Sequence, residues 1–268
     1  MTDQPRYGER APVTPITDTT KARRTPRGPS PIFLGLVAVA IASGWALWTG
    51  LGASGIVAFV FVVATWVITL CLHEFAHAFV AYRYGDHSVV YRGYLTLDPL
   101  KYTHVMFSIV LPLLFLVLGG IGLPGGAVFI DRSALRTRFA HSAVSAAGPL
   151  TNVAVAVLLA IAFAFREGPS PFWAAIAFLL FLQVTAAVLN LLPVPGLDGF
   201  GIIEPYLPSG WLPGAARIAP FAIIGLFALL WIPQFNAAFF NGIQGITTLL
   251  GVPGVLIGSG YELFRFWG

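Results

Sequence analysis

Seven apolar blocks, near residues 32–48, 55–84, 104–121, 139–165, 172–192, 216–232 and 236–257, limit what this chain can fold into. Each approaches or exceeds the ~20 residues that an α-helix needs to cross the hydrocarbon core of a bilayer. Lipid offers backbone N–H and C=O groups no partners, so a spanning segment must satisfy them within itself, as a helix does. Composition agrees: 57% of the 268 residues are hydrophobic and 10% are charged, whereas soluble domains carry about a quarter charged residues. The sequence predicts an all-α polytopic membrane protein.

Residues 1–30 are rich in Pro, Arg, Thr and Asp and lack apolar periodicity, so a disordered basic tail is expected there. The block that follows is longer than the ~7–15 apolar residues of a signal-peptide core, so it reads as a retained first span. A basic tail held on the cytoplasmic side sends that span outward and the next one back. The membrane domain is drawn over residues 31–258, with a short tail at 259–268 and both termini cytoplasmic. Lys and Arg total 15 against 11 Asp and Glu, an excess that informs orientation and gives no case for nucleic-acid binding. The single cysteine, Cys71, excludes an internal disulfide and reads as a small packed hydrophobe. The sequence leaves the oligomeric state open.

Two segments are expected to depart from simple crossings. Residues 104–121 contain Pro112 and run into GGIGLPGGA, which predicts a re-entrant or broken segment and leaves six complete crossings. Between the second and third blocks lies GDHSVVYRGYLTLDPLKYT, where β-branched and aromatic residues alternate around Arg92-Gly93. That pattern predicts a short β-hairpin near the membrane surface, with a strand over about residues 89–97 available to pair with an unwound peptide.

The second block carries HEFAH. Residues four apart on a helix share a face, so His73 and His77 can aim imidazole nitrogens at one ion, with Glu74 beside it to take a proton from water. A carboxylate deep in a spanning helix costs about 2.5–3.5 kcal/mol on insertion scales, which favours a working role. A hydrolytic zinc site usually has three protein ligands. Candidates for the third are Asp86, Asp98, Asp131, Glu167, Asp198, Glu204, His87, His104 and His141. Asp198 stands out because NLLPVPGLDG must break its helix, and broken backbone at membrane depth lies against protein or a cavity. His87, Asp98 and His104 are placed to line a water path.

HEFAH, SAAGPLTN at 145–152 and NLLPVPGLDG at 190–199 together resemble, in order, the signature elements of the site-2 protease family of intramembrane zinc metalloproteases. The resemblance covers about residues 55–200, taken as the catalytic core. It implies one zinc per chain held by His73, His77 and Asp198, with Glu74 as general base and acid. Asn152 and Asn190 match the motif asparagines and are implied to line the site. It also implies a transmembrane protein or peptide as substrate and residence in the cytoplasmic membrane. After LDG this chain reads FGIIEPYLP where many relatives continue Gly-Arg, and no PDZ-like or nucleotide-binding module is evident. The rival readings are a membrane zinc carrier, which has no need of Glu74, and a non-catalytic membrane-protein scaffold, which would be expected to lack a ligand.

Overall fold

The computed structural model describes residues 28–102 and 128–267. The expected basic tail, apart from its last residues, and the expected re-entrant segment at 104–121 lie outside them. Helix α1 (Pro31–Thr49) starts at Ser30, whose Oγ accepts from the Phe33 amide, and stops at Gly50 with φ 72°. Helix α2 (Ser54–Arg83) is 30 residues long, about 45 Å at 1.5 Å per residue, so it outruns the hydrocarbon core. A short α3 (Ser88–Tyr91) follows. Helix α4 (Arg138–Ala164) is capped by Thr137 and α5 (Pro171–Leu191) by Ser170. Then come α6 (Asp198–Ile203), α7 (Leu212–Leu230), α8 (Pro233–Leu249) and α9 (Gly254–Phe264).

Five described helices are long and apolar enough to cross a membrane, or six if α8 and α9 count as one bent span. The core is α2, α4 and α5, with α1 laid on α2 and α9 on α5 and α2. Helix α5 is apolar all round because protein surrounds it. Leu179, Leu180, Leu182 and Phe178 are all buried at its centre. Helix α7, by contrast, has no buried residue.

The expected hairpin is absent: among the described residues there is no strand. Residues 88–101 form successive tight helical turns instead, Ser88–Tyr91, Tyr94–Thr96 and Pro99–Lys101. The Arg92-Gly93 pair does not join two strands, because Gly93, at φ 75°, links two turns whose amides bond locally, Gly93 to Val90 and Thr96 to Gly93. Asp86 and Asp98 each accept an amide two residues on, from Ser88 and Leu100, committing the chain to turns. The alternation that suggested a strand reflects Val89 and Tyr94 each pointing inward from a separate turn. Residues 88–101 therefore offer no strand with which a substrate could pair.

The expected single span at 236–257 is also broken. Gly251 takes φ 79° and Pro253 restarts the chain as α9, 111° away from α8. Helix α9 returns to the bundle, where Phe264 is buried against Phe178 and stacks on Phe59. Gly260 makes this approach possible, since a Cβ there would fall on the backbone carbonyl of Ala174. Gly260→Ala should prise α9 from α5 and cost about 1–3 kcal/mol. The check is the thermal unfolding midpoint in detergent, where an unchanged value would refute the tight contact.

Candidate metal centre

Three helices bring the motifs together. His73 and His77 stand one turn apart on α2 and are buried, with their Nε2 atoms 3.0 Å from each other. Asp198 reaches them from the start of α6, its Oδ2 3.3 Å from His73 Nε2 and 3.4 Å from His77 Nε2. The broken helix end read from the sequence delivers it. Helix α5 ends at Leu191, Gly196 turns at φ 99°, and the Leu197 amide bonds Val194 before α6 begins. Gly199 is required because a Cβ there would land on the carbonyls of Leu191 and Leu192.

Each imidazole is oriented from behind by α4. The Val144 carbonyl lies 2.7 Å from His77 Nδ1, and a carbonyl can only accept, so His77 carries its proton on Nδ1. Its Nε2 is left with a lone pair facing the other two groups. Asn152 Oδ1 sits 2.5 Å from His73 Nδ1. Three ligand atoms within 4.8 Å of one another thus face a gap that calls for positive charge.

The space at that gap is made by a missing side chain. A Cβ on Gly148 of α4 would fall directly on the Nε2 atoms of His77 and His73. Two imidazoles, a carboxylate and a cradle that a methyl would fill suit a tetrahedral zinc with a fourth position open. Glu74 lies alongside, with Oε1 3.9 Å from His73 Nε2 and Oε2 accepting from the Val128 amide at 3.1 Å. It is buried and makes no ion pair with Arg83.

The Asn152 amide bonds on both sides: its Nδ2 donates to Gln183 Oε1 at 2.9 Å while its oxygen faces His73. It stands directly behind His73. Asn190 is buried near the end of α5, and its side chain makes no hydrogen bond among the described residues. Of the alternative ligands, Asp86 is spent on the amides of Ser88 and Asp131, and Glu204 pairs with Arg132. Asp98 caps a turn and pairs with Lys101, and His87 packs edge-on against Tyr82, so neither reaches the three ligand candidates. His104 lies outside the described residues.

Sequence reasoning missed Gln183 and Thr69, which continue the chain of hydrogen bonds behind Asn152. A signal was present: a Gln in the middle of FLLFLQVTAAV has polar groups that lipid cannot satisfy.

No protein-family model matches the chain, and no solved structure gives a significant match. Curated relatives do match. The chain is 46% identical over 247 residues to a protein of Mycobacterium tuberculosis H37Rv named zinc metalloprotease Rip2, covering 89% of this chain and 94% of that one. The Rip2 protein of Mycolicibacterium smegmatis is equally similar, at 46% over 245 residues with the same coverage of both chains. A Bacillus subtilis protein named zinc metalloprotease YwhC is 32% identical over 165 residues, covering 56% of this chain and 70% of that one. With the metal-binding geometry and apolar helices described above, these relatives place the chain in the site-2 protease family, as an integral membrane zinc metalloprotease.

Proposed function

We propose that this protein hydrolyses peptide bonds in or near transmembrane segments of other membrane proteins, as in regulated intramembrane proteolysis. The observation that carries the reading is the convergence of His73, His77 and Asp198 beside Glu74 on helices of membrane-spanning length. His73, His77 and Asp198 would hold the zinc, which when bound supplies a Lewis acid to polarise the scissile carbonyl and activate water. Glu74 takes the proton from the attacking water and then delivers it to the leaving amine. The Val128 amide orients the Glu74 carboxylate for this exchange. Asn190, buried near the end of α5, would donate to the oxyanion that develops on the carbonyl.

Arg83 at the end of α2, and Arg132, Arg136 and Arg138 near the start of α4, cluster at the end of the bundle that holds the site. The positive-inside tendency supports placing that end, with both termini, on the cytoplasmic side of the plasma membrane. The site then opens toward cytoplasmic water.

The test is zinc content together with cleavage of a model single-span protein in liposomes. Asp198→Ala should lose both zinc and cleavage, with zinc falling from about one per chain toward zero, since two ligands do not complete a hydrolytic site. Cleavage of the wild type should stop on chelation and return with added zinc. A wild type without zinc, or an Asp198→Ala variant that keeps it, would overturn the ligand set.

A further inference from the structure

Three buried side chains behind His73 continue from it in one line of hydrogen bonds. Asn152 Oδ1 lies 2.5 Å from His73 Nδ1, Asn152 Nδ2 donates to Gln183 Oε1 at 2.9 Å, and Gln183 Nε2 donates to Thr69 Oγ1 at 2.9 Å. The Thr69 hydroxyl in turn donates to the Trp66 carbonyl at 2.8 Å. Gln183 has no solvent exposure, and Thr69, Asn152 and His73 have no more than 5%. Helices α2, α4 and α5 each contribute, so the line crosses the centre of the bundle.

Such a line can run in either of two directions. With both amides reversed, Thr69 would donate to Gln183, Gln183 to Asn152, and Asn152 to His73 Nδ1. His73 would then carry its proton on Nε2, where it could bind no metal. The Trp66 carbonyl breaks the tie. It can only accept, and when Thr69 donates its single proton there, the Thr69 oxygen must accept from Gln183. Each amide then has one orientation, and the last acceptor, Asn152 Oδ1, requires the proton of His73 on Nδ1.

We propose that Gln183 and Thr69 are positioning residues that set the tautomer of His73 and so hold its Nε2 lone pair ready for zinc. The consequence for zinc affinity rests on the reading of His73 as a ligand; the consequence for the tautomer does not. Partners of this kind, one step behind a metal-binding histidine, typically change metal affinity by about 10–100-fold when removed.

The experiment uses the full chain in detergent, labelled with 15N-histidine, with His73 assigned by comparison with His73→Gln. Long-range 15N–1H spectra of the metal-free protein should show the proton of His73 on Nδ1 in the wild type. Gln183→Met and Thr69→Val should lose that single tautomer, and chelator competition should show their zinc affinity weakened by about 10–100-fold. Thr69→Ser, which restores the hydroxyl, should recover both. Thr69→Val is nearly isosteric and decides the matter if Gln183→Met fails to fold.

The proposal fails if Thr69→Val keeps the wild-type tautomer, or if Thr69→Ser behaves like Thr69→Val. If the tautomer responds as stated but the wild type binds no zinc, the relay stands and the metal reading falls.

Discussion

Glu74→Gln should bind zinc like the wild type and cleave a transmembrane substrate about 10²–10⁴-fold more slowly, the usual contribution of a positioned general base. The substitution is nearly isosteric, and Glu74 stands outside the group of three ligand atoms, 3.9 Å from His73 Nε2. Its oxygen on the Val128 amide can be replaced by the amide oxygen of Gln, so the local backbone should hold. What goes is the basic oxygen that accepts a proton from water. The measurements are zinc per chain and kcat on the same preparation. Unchanged kcat would remove Glu74 from the chemistry and revive a zinc carrier, which has no use for a base. Lost zinc would make Glu74 a ligand.

Gly148→Ala should have an effect of similar size for a different reason. One methyl group there occupies the space between the two imidazoles, on top of His77 Nε2 and His73 Nε2. Either the methyl displaces the ion or α4 moves away from α2. Movement of α4 would carry off the Val144 carbonyl and Asn152, which orient the rings. Both routes predict loss of zinc and of cleavage together. The added methyl should cost about 1–3 kcal/mol of stability if the helices cannot relax. Zinc content and the thermal midpoint separate this outcome from simple unfolding. A Gly148→Ala protein with full zinc would show that the cradle lies elsewhere.

The contrast between these residues and the misread loop shows where sequence carries structural information. Spans were legible because length and apolarity are properties of the segment itself, and α1, α2, α4 and α5 fall close to the blocks read from the sequence. His73, His77 and Asp198 were legible because helical spacing and a Pro-Gly break both constrain geometry locally. The residue-93 region failed for the converse reason. Alternation of Val, Tyr and Leu over so few residues does not distinguish a strand from inward-facing residues on consecutive turns, and the Asp side chains that decided it act on backbone amides. The position of Asn152 between His73 and Gln183 needed the fold, because only helix packing brings the three together. The bend between α8 and α9 was hidden for a similar reason. Gly251 and Pro253 permit a turn, but the reward for making one is the groove that α5 and α2 offer to Phe264.

Helix α5 has a consequence for how the enzyme senses its surroundings. Of its most apolar stretch, 83% is buried within the protein, against 33% in α4 and none in the α7 span. When a bilayer thickens or thins, the response is taken up by tilting of helices that touch lipid. Helices α1, α4 and α7 would feel that strain first, while α5, which carries Gln183 and ends beside Asp198, is shielded by its neighbours. Gln183 thus backs Asn152 from an inner post, whereas Val144 and Asn152, which stand behind the two imidazoles, ride on α4 in the outer wall, so a change of membrane thickness should reach the site through α4 and not through α5.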